Sequence, residues 1–290
     1  VIILFILLNY SNIDIKITTK FIVTIICCFL IILDFVSYML HHEYREKKWK
    51  IFVKWKNSWL ARKLILSILN FFSVIIFFIT WLVYDNSKLL NLSIIFAGLL
   101  SLSIVFCSSM AYSSIKKIPM WNNSLLPPIY ILNSLISGSI ILFCILFIFE
   151  KYNYFLFNFL IFIIPITLFL KILYLFSIKN YSNNSTKKNG NLETNNRNIS
   201  FGKNHFNEDI EKKNSMGSKI IQHFVAIIFM YILPLYTLWN TPRLYINKEV
   251  SEIIYILTLL FFIVGMLIER KLFFAEAKHS VSLYYGNKKV

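Results

Sequence analysis

Asp34, Tyr38 and His41 fall at i, i+4 and i+7, a spacing that stacks three side chains on one face of a helix. They end an apolar run, 21–40, long enough to cross a hydrocarbon layer of about 30 Å. An ionisable side chain at that depth is costly, which makes Asp34 a functional candidate. An acid, a phenol and an imidazole in a row, from mid-membrane to the interface, could bind the hydroxyl of a quinol and take up its protons. The alternative is an aspartate hydrogen-bonded inside a helix bundle, below an interfacial Tyr–His belt.

Other residue types that carry chemistry are sparse. The histidines are His41, His42, His205, His223 and His279, and no spaced pair stands inside an apolar run to ligate a haem axially. Cys27, Cys28, Cys107 and Cys144 all lie in apolar runs without a C-x-x-C pair, so they read as small core residues rather than cluster or zinc ligands. P-loop, GxGxxG, nucleophile-elbow and HExxH motifs are missing. No catalytic residue and no metal site are expected. Two further segments stand out. MAYSSIKKIPMWNNSLLPP (110–128) reads as a shaped loop with an aromatic belt, in which Pro127 and Pro128 set the start of the next helix. ERKLFFAEAKH (269–279) mixes charges and aromatics, as a helix end at the interface or a docking surface.

The elements that must position these groups are apolar helices. Spans are expected at about 1–8, 21–40, 64–84, 89–112, 127–149, 154–178, 219–239 and 250–268. Inside lipid each must satisfy its own backbone hydrogen bonds, so the fold class is all-α. The run 1–8 is too short to span and reads as the end of a truncated first helix; no signal peptide is recognised there. Short polar turns at 85–88 and 150–153 imply antiparallel neighbours. Charged residues are 15% of the 290, hydrophobic residues 57%, and mean hydropathy is +0.64, far from a soluble domain. Ile, Phe, Asn, Lys and Tyr dominate; their AT-rich codons point to base bias, which weakens any argument from asparagine.

The net charge of +16 is concentrated. Segments 42–63, 113–126, 179–219 and 269–290 hold 23 of the 30 lysines and arginines. With eight spans all four fall on one face, with both termini, and the positive-inside rule makes that face cytoplasmic. The basic loops could also meet acidic partner surfaces. Charges flanking membrane spans make nucleic acid a poor partner. Segment 42–63, with Trp49, Trp55 and Trp59, reads as a basic interfacial stretch, and 179–218 as a polar extramembrane loop.

Five pieces of the chain, in order, resemble the membrane anchor (C) subunit of bacterial dimethyl sulfoxide reductases. SYMLHH (37–42) resembles the family's S-x-L-H-L-G, and NSWLARKL (57–64) its S-W-L-S-R-E. YSSIKKIPMWNNSLLPP (112–128) is similar to its Y-x-S-x-x-x-x-P-x-W-x-x-x-x-T-P, SLISGSIIL (134–142) to its Gly-containing helix, and ERKLFFAEAKHSVSLYYG (269–286) to its E-R-x-L-F-F. The resemblance implies an eight-helix anchor without haem or metal. Such an anchor oxidises menaquinol and passes electrons to an iron–sulfur subunit beside a molybdopterin subunit. It implies that His41 binds quinol. The family's second implicated residue, the acid of S-R-E, is Lys63 here, and Asp34 on the face of His41 is the candidate for its role.

The chain is thus expected to be a single integral membrane anchor domain over residues 1–290, a multi-pass protein of the bacterial inner membrane serving anaerobic respiration. Quinol-binding candidates are His41, Tyr38, Asp34, Lys63 and Tyr112. Menaquinol is the expected bound substrate, and lipid and the iron–sulfur and molybdopterin subunits the partners. The redox centres belong to those partners, and this chain contributes a quinol site. Rival readings are the anchor of a polysulfide- or nitrite-reductase-type complex, a small-solute transporter, or a structural membrane protein. A transporter would favour helices broken by Gly and Pro in matching halves; the chain has 7 glycines, and Pro165 and Pro234 stand alone.

Overall fold

Short connections and long apolar helices dictate an up-and-down bundle, and the computed structural model has that form. It describes residues 17–41, 54–56, 58–83, 87–149 (apart from Lys117 and Pro119), 154–190, 216–244 and 248–275. Every regular element among them is helical. The helices are α1 (Ile17–His41), α2 (Trp59–Val83), α3 (Ser87–Ser113), α4 (Leu126–Phe149), α5 (Tyr154–Gly190), α6 (Met216–Ile227), α7 (Leu233–Leu244) and α8 (Lys248–Ala275). A π-helical turn, Ile228–Ile232, joins α6 to α7 in one continuous rod. Six stretches are long and apolar enough to cross a membrane, and α1 adds the shorter apolar stretch Phe21–Val36. Seven of the eight expected spans are therefore present as helices; the run 1–8 lies outside the described residues.

Boundaries differ from expectation in two informative places. α2 begins at Trp59 rather than 64, so Trp59, Arg62 and Lys63 form its first turns. Arg62 stacks on the Trp59 ring at 4.4 Å, and its Nε donates to the Trp55 carbonyl at 3.0 Å. The helix is thus extended by side chains that satisfy the backbone before it. α5 runs to Gly190, into the sequence expected to be a polar loop, because Asn, Ser and Lys after the apolar run do not terminate a helix already nucleated below them.

Residue pairings fix the directions. Asp34 meets Lys63 and Phe21 meets Phe78, so α1 and α2 are antiparallel. Trp59 meets Phe106 and Thr80 meets Ser93, so α2 and α3 are antiparallel. Tyr130 meets Arg270 and Phe143 meets Tyr255, which sets α4 against α8 in the same way. The ends at 41, 59, 113, 126, 190, 216 and 275 consequently share one face, the face of the four basic segments.

α4 is the centre. Its span is 56% buried, against 33% or less for each of the others. One side of it packs into an apolar core with Leu156, Leu160 and Ile164 of α5, Met230 and Tyr231 of the π turn, and Tyr255 and Phe262 of α8. Large apolar side chains such as Phe162, Leu92, Phe224 and Leu267 point outward, as in a protein whose outer solvent is lipid. The π turn has a local cause. Pro234 has no N–H to give to a carbonyl four residues back, and the Leu233 N–H bonds to the Ile228 carbonyl, five back. Gly265 of α8 lies against this widened turn; a Cβ there would stand 2.8 Å from Met230 Cγ and 2.9 Å from Phe229 Cβ.

Candidate functional site

The other side of α4 faces a cleft. α1 packs on α2 and α4, and α3 packs on the same two, so the four helices form a ring. A half-open cleft of about 490 Å³ lies between them, within the range of roughly 300–1,000 Å³ usual for small-molecule sites. A membrane bundle would ordinarily close such a space with small apolar residues. Here each helix turns at least one polar group into it, Asp34 from α1, Lys63 and Asn70 from α2, Ser101 and Ser108 from α3 and Ser134 from α4, with a seven-residue spacing on α2 and α3. Ser67, Ser137 and Gly138 fill intermediate turns.

Asp34 and Lys63 form an ion pair across the cleft, Nζ to Oδ1 at 2.7 Å, with side chains 43% and 18% exposed respectively. Most serine hydroxyls here donate to their own helix: Ser67 to the Lys63 carbonyl at 2.9 Å, Ser108 to Ile104 at 2.8 Å, Ser134 to Ile131 at 2.7 Å. Such back-bonding satisfies the donor and leaves the oxygen able to accept. The cleft therefore combines one cation, one carboxylate and several hydroxyl acceptors. It lies on the side of the basic segments, since Lys63 stands four residues into α2 and Asp34 seven before the end of α1.

A second polar cluster holds the 114–125 connection. Lys171 of α5 pairs with Glu269 of α8, and Lys171 also lies 5.3 Å from the Tyr174 ring centre. Tyr174 Oη donates to the Met120 carbonyl at 3.1 Å and Asn123 Nδ2 to Ser177 Oγ at 2.7 Å. Trp121 stacks on Phe273 at 5.3 Å and its indole N–H donates to the Phe273 carbonyl at 3.2 Å, which caps the end of α8. Arg270 lies over Tyr130 at 4.5 Å and donates to its hydroxyl. Asn123 Oδ1 accepts the Leu125 N–H at 2.9 Å, and Pro127 and Pro128 occupy the first turn of α4, as their missing N–H groups favour.

The sequence candidates divide between these two places. Asp34 and Lys63 meet in the cleft. Tyr38 and His41 lie on α1 beyond Asp34, and their side chains are outside the described residues. Tyr112 is not in the cleft; its ring packs against Trp121, Phe273 and Phe274 at 5.3, 5.4 and 5.8 Å, in the second cluster. Tyr112 and Pro128 at its two ends, with Glu269, bring the 112–128 and 269–286 motifs together here, and the 57–64 and 134–142 motifs meet at the cleft. Sequence reasoning missed Asn70, Ser67, Ser101 and Ser108. Their signal was the one-face spacing of polar residues, Lys63, Ser67 and Asn70 on α2 and Ser101 and Ser108 on α3, hidden by a composition in which Asn and Ser are common. Among the described residues no three His, Cys, Asp or Glu side chains cluster as metal ligands.

Fold and cleft together define a polytopic membrane protein with an ion pair inside a helix ring near one face. The chain belongs to the DMSO reductase anchor subunit (DmsC) family, whose model matches residues 1–276. It is accordingly a multi-pass membrane anchor of a DMSO reductase-type complex. No curated protein and no solved structure matches it.

Proposed function

We propose that this chain binds and oxidises menaquinol in the four-helix cleft and passes the electrons to an iron–sulfur subunit of a molybdenum-containing complex in the bacterial inner membrane. The observation that carries this reading is the Asp34–Lys63 pair at the cleft. Oxidising a quinol removes two electrons and two protons. The electrons leave to the partner's iron–sulfur cluster; the proton of one hydroxyl goes to a base beside it, and that of the other goes to water at the open side of the cleft. Asp34 accepts a proton through a carboxylate oxygen, and Lys63, hydrogen-bonded to that carboxylate, positions it and donates to the oxygen that becomes a carbonyl. Tyr38 and His41, farther along α1, lead from Asp34 to the end of the helix over about 10 Å of axial rise. Because the cleft lies near the face of the basic segments, a partner docked on that face is the nearer electron acceptor.

The test is a fluorescence titration of a quinoline N-oxide, a menaquinol-analogue inhibitor, into membranes carrying the full complex. Saturable quenching is expected for the native chain and its loss for Asp34→Asn. Equal binding in both would remove the cleft from the reaction. A purified chain that brings no molybdenum or iron with it would return the transporter reading.

A further inference from the structure

Asn70 is the least expected group in the cleft. It sits on α2, seven residues past Lys63 on the same face, with only 2% of its surface exposed. An amide at this depth in a membrane helix is costly unless all its hydrogen bonds are made. Ser73 Oγ is 3.3 Å from its Oδ1, and the same hydroxyl donates at 2.8 Å to the Asn70 carbonyl. The hydrogen bonds to Asn70 outside the helix ladder are these two from Ser73, and the residue lines the cleft, where its side-chain N–H groups are available to a ligand. At the other end of the cleft, Lys63 uses one of its three N–H groups on Asp34.

From this we infer that Asn70 is the second anchor of the bound ring: Lys63 and Asp34 take one oxygen of a para-quinone or quinol, and the Asn70 amide takes the other. The inference rests on the proposed quinol site and names its far end. Two oxygens about 5 Å apart across the ring, each with a hydrogen bond of about 3 Å, require donors about 11 Å apart. The backbone positions of Lys63 and Asn70, seven residues apart, are separated by about 10.5 Å along the helix axis, and the long, movable lysine side chain adjusts the remaining reach. Apolar residues between the two ends, Leu30, Ile31, Ile104 and Ile141, suit the faces of a bicyclic ring. The arrangement selects 1,4-dioxygenated rings over rings with a single oxygen.

Displacement of the fluorescent quinoline N-oxide from membranes containing the whole complex tests this with two probes, 2-methyl-1,4-naphthoquinone and 1-tetralone, which lacks the second oxygen. The native chain should favour the two-oxygen probe about tenfold, one hydrogen bond's worth. Asn70→Leu should reduce that preference to about one, with 1-tetralone affinity held within about twofold, so that 1-tetralone also reports a folded cleft. Asn70→Ser, too short to reach the ring, should behave alike and guards against misfolding of the leucine variant. A parallel fall for both probes would assign Asn70 to packing, and an unchanged preference would place the second oxygen elsewhere; either overturns the inference while the quinol site stands. Failure of both probes to displace the inhibitor from the native chain would overturn the quinol site itself, and this inference with it.

Discussion

Replacing Lys63 by Met removes the partner of Asp34 while keeping the bulk of the chain. The pair is close, 2.7 Å, and its side chains are 18% and 43% exposed. An exposed pair is worth up to about 1 kcal/mol, whereas stranding one charge of a fully buried pair costs about 3–5 kcal/mol. The observed exposures place Lys63→Met between these, at about 2 kcal/mol of lost stability. Asp34→Asn should cost about 1–2 kcal/mol, because the ammonium can still reach cleft hydroxyls. The double variant should cost no more than either single one, which makes the coupling at least about 2 kcal/mol, beyond the roughly 0.5 kcal/mol scatter of additive sites. Thermal unfolding of the detergent-solubilised complex measures it; about 2 kcal/mol in a chain of this size is a shift of several degrees. The charge-reversed variant, Asp34→Lys with Lys63→Asp, should regain stability but not menaquinol oxidation, whose kcat should fall at least about a hundredfold for loss of a placed base. Additive single effects would refute the pairing argument. Full activity in the reversed variant would refute the assignment of roles.

Three further outcomes follow from the geometry. Gly265→Ala places a methyl within 3.0 Å of Met230 and Phe229, so the rod must move from α8; a loss of about 1–3 kcal/mol is expected in the same melt, with cleft binding retained. Trp121→Phe keeps the stack on Phe273 and deletes the indole donor to the Phe273 carbonyl, which should cost about 1 kcal/mol and raise proteolytic cutting within 114–125. Glu269→Gln leaves the Lys171 ammonium unpaired between α5 and α8 and should destabilise by about 2–3 kcal/mol, which Lys171→Met in the same chain should largely restore; persistence of the loss would show that the pair is not what joins these helices.

Much of the bundle was legible because lipid permits so few backbone solutions: an apolar run near 20 residues long has to be a helix. Pro127 and Pro128 announced the start of α4. The π turn was not legible, since Pro234 alone does not say whether a helix kinks, ends or widens. Asp34 could be singled out by the cost of a charge in an apolar run, but its partner could not. Lys63 lay in a segment read as interfacial, and only the antiparallel register of α1 and α2 brings the two together. Asn70 and the serines were obscured because polar residues in a biased composition carry little information singly. Their spacing becomes meaningful once four helices are known to face one space.

The pairing across α1 and α2 also bears on how the chain enters the bilayer. α1 carries Asp34 within its apolar run, 21–40. A lone aspartate opposes insertion by about 2.5–3.5 kcal/mol at a helix centre, and by less where Asp34 stands, seven residues from the end of α1. Its counter-ion is synthesised 29 residues later. α1 should therefore partition into lipid more weakly alone than as a hairpin with α2, in which Lys63 meets Asp34.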